Sequence, residues 1–148
     1  MENAKPRILL VDDELSVVRL LEYELAREGY DVVSAMDGKV AWELALGRPP
    51  DLVVTDYYMP VMDGLEFCRR LGAHSKTRHI PVLVISSRWC GVEDQFKQLD
   101  NVLDLIRKPF SLRDLTGRIA EALARRDNHP AGARAPTVAG ETGTKPVR

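Results

Sequence analysis

The chain is expected to fold as a doubly wound α/β domain around a five-stranded parallel sheet. Three observations carry that expectation. Short apolar runs, Ile8-Leu9-Leu10-Val11, Val32-Val33, Leu52-Val53-Val54-Thr55, Val82-Leu83-Val84-Ile85 and Leu103 to Arg107, alternate with longer amphipathic stretches, which argues for βαβ units rather than hairpins. The runs end on acids, a hydroxyl and a lysine in a fixed order, as if their carboxyl ends shared one edge. The length, 148 residues without an internal repeat, suits one domain with a sizeable core.

After the first run, Ser16 to Glu28 places Val17, Leu20, Leu21 and Leu25 at helical spacing, and Gly29 supplies a left-handed stop. Val32-Val33 is a short second strand. Asp37-Gly38 opens a helix reaching Leu46, with Val40, Trp42 and Leu44 as packing residues, and Pro49-Pro50 stops it. Beyond the third strand, Tyr57 to Asp63 is loop, and Gly64 to Leu71 is a helix turning Leu65, Cys68 and Leu71 inward. Pro81 begins the fourth strand. A fourth helix is predicted over Glu93 to Leu99. In the last helix Ser111 with Asp114 forms a capping box, and Leu112, Leu115, Ile119, Ala122 and Leu123 make the inner stripe. From His129 to Arg148 the composition turns to Pro, Gly, Ala and Thr, too poor in large apolar residues to fold.

Charge excludes some functions. Lys and Arg number 21 against 22 for Asp and Glu, so no basic excess invites nucleic acid or an anionic membrane. Cys68 and Cys90 form neither a disulfide framework nor a zinc spacing and read as buried or idle thiols. No pairing with a nucleophile and no metal spacing distinguishes His74, His79 or His129. The N-terminal apolar run is too short for a signal peptide and nothing approaches a bilayer span, so a cytoplasmic protein is expected.

Asp12-Asp13 close the first run, Asp56 the third, Ser86 the fourth and Lys108-Pro109 the fifth. In one parallel sheet these side chains gather at the carboxyl edge, where open α/β sheets bind ligands. Singly, each has an ordinary use as a helix cap, loop acid, strand-end hydroxyl or surface charge. Jointly, they would crowd carboxylates at one edge. A flavin site is excluded because Asp12-Asp13-Glu14 would repel the flavin phosphate. A haloacid-dehalogenase-type nucleophile is excluded because Asp56 ends the third strand and is followed two residues on by Tyr58.

The ordered set of Asp12-Asp13, Asp56 with Met59-Pro60 and Gly64 behind it, Ser86, and Lys108-Pro109-Phe110 resembles the receiver domains of two-component response regulators. The resemblance is to the stand-alone, chemotaxis-regulator-like form. It implies a flavodoxin-like receiver fold with strand order 2-1-3-4-5. Residues 5–127 would form the domain and 128–148 a flexible tail, with no effector domain. It also implies that a sensor histidine kinase, a phosphotransfer protein or a small acyl phosphate passes a phosphoryl group to Asp56. The aspartyl phosphate then shifts the conformation presented to a downstream protein target. On this reading the chain is a phosphoacceptor that assists its own phosphorylation and dephosphorylation rather than an enzyme, a monomer or weak dimer without direct nucleic-acid or membrane binding. The alternative is a receiver-like interaction domain that no longer switches by phosphorylation.

The chemistry explains the residue types. Carboxylates a few Å apart repel by about 4 kcal/mol per close pair at an effective dielectric near 20, and a divalent cation is the natural remedy. Magnesium suits the all-oxygen set, with manganese as a second choice. Asp13 and Asp56 are expected as direct ligands, Asp12 through water, and the backbone carbonyl of Tyr58 by the family pattern. Asp56 is the nucleophile, Lys108 and the metal neutralise the transferring group, and Ser86 donates to its third oxygen. The resemblance also implies a cis Lys108-Pro109 bond. Glu14 is left open between capping the first helix, joining the acids, and neither.

Departures from the pattern matter as well. Three residues before Lys108 receivers carry Tyr or Phe, and this chain has Leu105, so the usual aromatic switch is in question. Asp100-Asn101-Val102 replaces Gly-Ala-Asp, with Asn101 expected in the left-handed conformation. Trp89 reads as a loop-packing residue, with partner contact the alternative. Tyr58 and Arg88, each two residues beyond a site residue, are placed to control water access.

Overall fold

The five apolar runs pair as parallel strands, β1 (Arg7–Val11), β2 (Asp31–Ala35), β3 (Leu52–Asp56), β4 (Val82–Ser86) and β5 (Val102–Arg107), in the order β2-β1-β3-β4-β5. The computed structural model describes residues 4–88 and 91–128, so Trp89, Cys90 and the tail from His129 lie outside the described residues. Leu9 pairs with Val33 and Val53, Val54 with Leu83, and Val84 with Leu105. Between them run α1 (Leu15–Arg27), α2 (Gly38–Gly47), α3 (Gly64–Ala73), α4 (Glu93–Lys97) and α5 (Leu112–Asn128).

Every residue of β3 and β4 is buried, which is why these strands read as continuous apolar runs rather than alternating ones. Successive side chains still go to opposite faces. Leu9, Val53, Val82 and Val84 meet Ala41 and Ala45 of α2, Leu65, Phe67 and Leu71 of α3, and Phe96 of α4. Ile8, Leu10, Val54, Leu83 and Ile85 meet Val18, Leu21 and Leu25 of α1 and Leu115, Ile119 and Leu123 of α5. Each fully buried Leu or Ile contributes about 2 kcal/mol of transfer free energy. Two such layers leave the carboxyl ends of the strands as the opening between helices.

Several sequence expectations are corrected. In α1 the buried stripe is Val18, Leu21 and Leu25, while Leu20 is 47% exposed and Val17 packs only at the margin. In α2 the small residues Gly38, Ala41 and Ala45 are buried, Val40 is exposed, and Trp42 and Leu44 pack at the edge. The reason is close approach: a Cβ on Gly38 would stand 2.2 Å from the Met62 carbonyl oxygen, so that face has no room for branched side chains. Helix α4 stops at Lys97 rather than Leu99, whose N–H instead bonds the Phe96 carbonyl in a turn.

Asn101 does not take the left-handed conformation, since Val61 is the non-glycine residue with positive φ among the described residues. Its buried amide instead donates to the Cys68 carbonyl at 3.1 Å, tying the approach to β5 onto α3. The capping box at α5 is half formed. Ser111 Oγ accepts from the Asp114 N–H at 2.9 Å, but the Asp114 carboxylate is engaged by Arg118 one turn on. Gly29 takes the expected left-handed φ of 97° after α1, and Cys68 is buried, with its thiol pushed up by burial and by Asp63.

Candidate functional site

The strand ends deliver Asp12 and Asp13 after β1, Asp56 on β3, Ser86 on β4 and Lys108 after β5 to one edge. Carboxylate oxygens of Asp12, Asp13 and Asp56 lie within 4.8 Å of one another, Asp12 and Asp56 buried and Asp13 exposed at the mouth. Lys108 follows β5 across a cis peptide to Pro109, and its N–H bonds the Ser86 carbonyl at 3.1 Å. Its ammonium then reaches back over the pocket. Nζ donates to Asp12 Oδ2 at 2.9 Å, Glu14 Oε1 at 3.0 Å and Asp56 Oδ2 at 3.1 Å.

Backbone amides hold the remaining oxygens. Asp12 Oδ1 accepts from the Glu14 N–H at 2.9 Å, and Asp56 Oδ1 accepts from Tyr57 at 2.7 Å and Tyr58 at 3.4 Å. Gly64 makes this turn possible. Its N–H bonds the Tyr57 carbonyl at 2.7 Å, and a Cβ there would stand 2.2 Å from the Asp56 carbonyl oxygen. Asp13 has no hydrogen bond or ion pair among the described residues, so its carboxylate is available to a ligand.

The electrostatics follow from burial. Desolvation raises the pKa of Asp12, the Glu14 N–H and Lys108 pull it down, and the charge of Asp56 adds to the rise; the net direction is upward. Burial alone would lower the Lys108 pKa, but its bonds to Asp12 and Glu14 and the charges of Asp12 and Asp56 outweigh it, so the ammonium is held more firmly protonated than a free lysine. One ammonium cannot offset three clustered carboxylates. The oxygen donors, their spacing and this excess negative charge fit a hard divalent cation.

Ser86 is at the edge but directed locally. It is 1% exposed, its Oγ accepts from the Arg88 N–H at 3.2 Å, and it donates to the Arg88 carbonyl at 3.3 Å. Arg88 in turn places its guanidinium 4.8 Å from the centroid of the Tyr58 ring, a cation–π contact between the residues two beyond Ser86 and two beyond Asp56. Tyr58 is 58% exposed, whereas the Tyr57 ring turns inward, edge-on to Phe96 at 5.7 Å. Leu105 is half-buried against the α2–α4 side of the core and borders a groove of about 300 Å³ between α4 and β5. Sequence reasoning did not resolve Glu14. Its adjacency to Asp12-Asp13 was the available signal, but only the course of Lys108 across the edge shows what it touches.

Residues 8–120 match the profile of the response regulator receiver domain. The chain is 38% identical over 126 residues to the alkaline phosphatase synthesis transcriptional regulatory protein PhoP of Bacillus subtilis (strain 168), covering 80% of this chain and 49% of that protein. It is 34% identical over 130 residues to the DNA-binding dual master transcriptional regulator RpaA of Synechocystis sp. (strain ATCC 27184 / PCC 6803 / Kazusa), covering 87% of this chain and 54% of that one. The chain thus spans about half the length of the curated relatives it matches. Among solved structures, the chemotaxis response regulator CheY4 of Vibrio cholerae superposes with a TM-score of 0.74 at 26% identity, covering 80% of this chain and 99% of that one. The receiver domain of the sensor histidine kinase PA1611 from Pseudomonas aeruginosa PAO1, with magnesium coordinated in its active-site cleft, gives 0.74 at 26%, covering 82% of this chain and 99% of that one.

Proposed function

The chain belongs to the response regulator receiver domain family, and from that premise we propose that it accepts a phosphoryl group on Asp56 from a histidine kinase or phosphotransfer protein and thereby changes what it binds. The observation that carries this reading is the Lys108 ammonium, 3.1 Å from the buried Asp56 carboxylate and 2.9 Å from Asp12, with Asp13 open at the mouth. The relatives named above include two transcriptional regulators and a chemotaxis response regulator, which lends no support to a non-switching interaction module.

An Asp56 oxygen attacks phosphorus; the O–P bond forms while the donor's bond to phosphorus breaks, its electron pair leaving with the imidazole or carboxylate. The Tyr57 and Tyr58 amides keep the Asp56 carboxylate from rotating away. Lys108, firmly protonated, neutralises charge on the transferring oxygens. When bound, magnesium would be held by Asp13, Asp56 and the Tyr58 carbonyl directly and by Asp12 through water, neutralising acids and phosphoryl group together. The direct position of Asp13 is supported by its carboxylate being free among the described residues, while the division between Asp56 as direct ligand and Asp12 through water follows the family pattern, since Lys108 and backbone amides engage both carboxylates alike.

Ser86 donates to a phosphoryl oxygen by giving up the bond it donates to the Arg88 carbonyl, which releases the Arg88 backbone from the strand end. Leu105, paired with Val84 and beside the groove between α4 and β5, has space to repack in response. We assign residues 5–127 to the domain, adding the start of β1 with the two residues before it and the last turns of α5 to the matched stretch. No helix among the described residues is long and apolar enough to cross a membrane.

The test is mass spectrometry after incubation with magnesium and acetyl phosphate. The protein should gain one hydroxylamine-labile phosphoryl group, and Asp56→Asn should abolish the gain. Labelling of the variant at the wild-type level would place the acceptor elsewhere.

A further inference from the structure

Resting on this reading of the site, we propose that Glu14 is a positioning residue: a displaceable anchor that holds the Lys108 ammonium until a phosphoryl oxygen takes its place. A lysine ammonium has three N–H donors, and those of Lys108 are all engaged, by Asp12, Glu14 and Asp56. A new bond to a phosphoryl oxygen therefore requires one carboxylate to let go.

The three partners are not equivalent. The Asp12 side chain is fully buried and its other oxygen is tied to a backbone amide, so losing Lys108 would strand a desolvated charge. Asp56 carries the incoming group. Glu14 is the solvent-facing partner, its side chain 59% exposed, so water replaces the lysine there at little cost. Its side chain has no competing duty at the start of α1. Glu14 occupies the N-cap position without a side-chain capping bond, and it is the backbone N–H that serves Asp12. The arrangement keeps Lys108 folded over the pocket before phosphorylation and weakens its hold on the phosphoryl group by competition.

The experiment compares wild type, Glu14→Gln and Glu14→Ala in labelling by acetyl phosphate with magnesium, in affinity for beryllofluoride, in magnesium affinity by calorimetry, and in thermal midpoint. With the competing charge removed, both variants should label faster and bind beryllofluoride more tightly, by about fivefold, equivalent to about 1 kcal/mol. Magnesium affinity and the thermal midpoint should stay near wild type. In a Lys108→Gln background the same substitutions should have no accelerating effect, because Glu14 acts through the lysine. Unchanged or slower labelling by a stably folded Glu14→Gln protein overturns the anchor. So does acceleration that persists without Lys108, which would make Glu14 a plain repulsive charge, and so does a large loss of magnesium affinity, which would make it part of the metal site. Failure of wild type itself to take label on Asp56 would instead overturn the functional reading and this inference with it.

Discussion

Replacing Asp12 with asparagine should stabilise the cation-free domain at neutral pH, although it removes a buried ion pair. At an effective dielectric near 20, unit charges 4.8 Å apart repel by about 3.5 kcal/mol, and Asp12 faces two such neighbours, Asp13 and Asp56. Against this stands the Lys108 ammonium at 2.9 Å, worth about 6 kcal/mol on the same scale. Desolvation of the buried carboxylate is the largest cause of its raised pKa and, with the charge of Asp56, outweighs the Glu14 N–H bond and the Lys108 attraction, so the balance favours losing the charge, by about 1 kcal/mol. For a domain of this size that corresponds to about 4 °C in thermal midpoint.

The sign with pH is fixed by the direction of the Asp12 shift. A carboxyl whose pKa is raised above its ordinary 3.8 binds its proton more tightly when folded. Its contribution to stability therefore falls as pH rises from that value through the folded one, and stays low above it. The advantage of Asp12→Asn should accordingly be full at neutral pH and shrink on acidification. Saturating magnesium, which binds the folded wild type, should reverse the order. The assay is urea or thermal unfolding of both proteins at neutral and acidic pH, with chelator and with magnesium. An asparagine variant less stable than wild type in chelator at neutral pH would show that the Lys108 attraction outweighs repulsion and desolvation, refuting the account of the pocket.

Three further outcomes are expected. If the Arg88–Tyr58 contact screens the aspartyl phosphate from water, replacing both with alanine should speed its hydrolysis by about tenfold, or about 1.4 kcal/mol of barrier; unchanged or slower decay in a time course would remove the screening role. Asp13→Asn should weaken magnesium binding about tenfold more than Asp12→Asn, since a direct ligand loses more than a water-mediated one, and equal losses in a calorimetric titration would contradict that division. Val61 is β-branched yet holds φ at 71° in the loop after Asp56, and it is 75% exposed. Val61→Gly should therefore stabilise the domain by about 1 kcal/mol, the relieved strain exceeding the chain entropy of glycine, and a lower unfolding midpoint would show that the loop carries no such strain.

The strands, their order and the convergence of Asp12, Asp13, Asp56, Ser86 and Lys108 are legible in the amino-acid sequence. Buried parallel strands demand apolar runs, and the crossover topology leaves their carboxyl ends no other meeting place. What the chain does on the flanks of that edge was not legible. Helical spacing admitted Leu20 as readily as Val18, and Val40 as readily as Ala41. The choice came from how closely each helix packs on its neighbours, as at the start of α2, where Gly38 lies against the Met62 backbone of the loop after β3. Asn101 looked like a turn residue because its partner, the Cys68 carbonyl, is 33 residues away in sequence. Ser86 closes its own loop on Arg88, and Glu14 meets Lys108 across 94 residues. Local patterns record which surfaces must be buried, whereas the partners of a polar side chain depend on distances that exist only once the strands and helices are assembled.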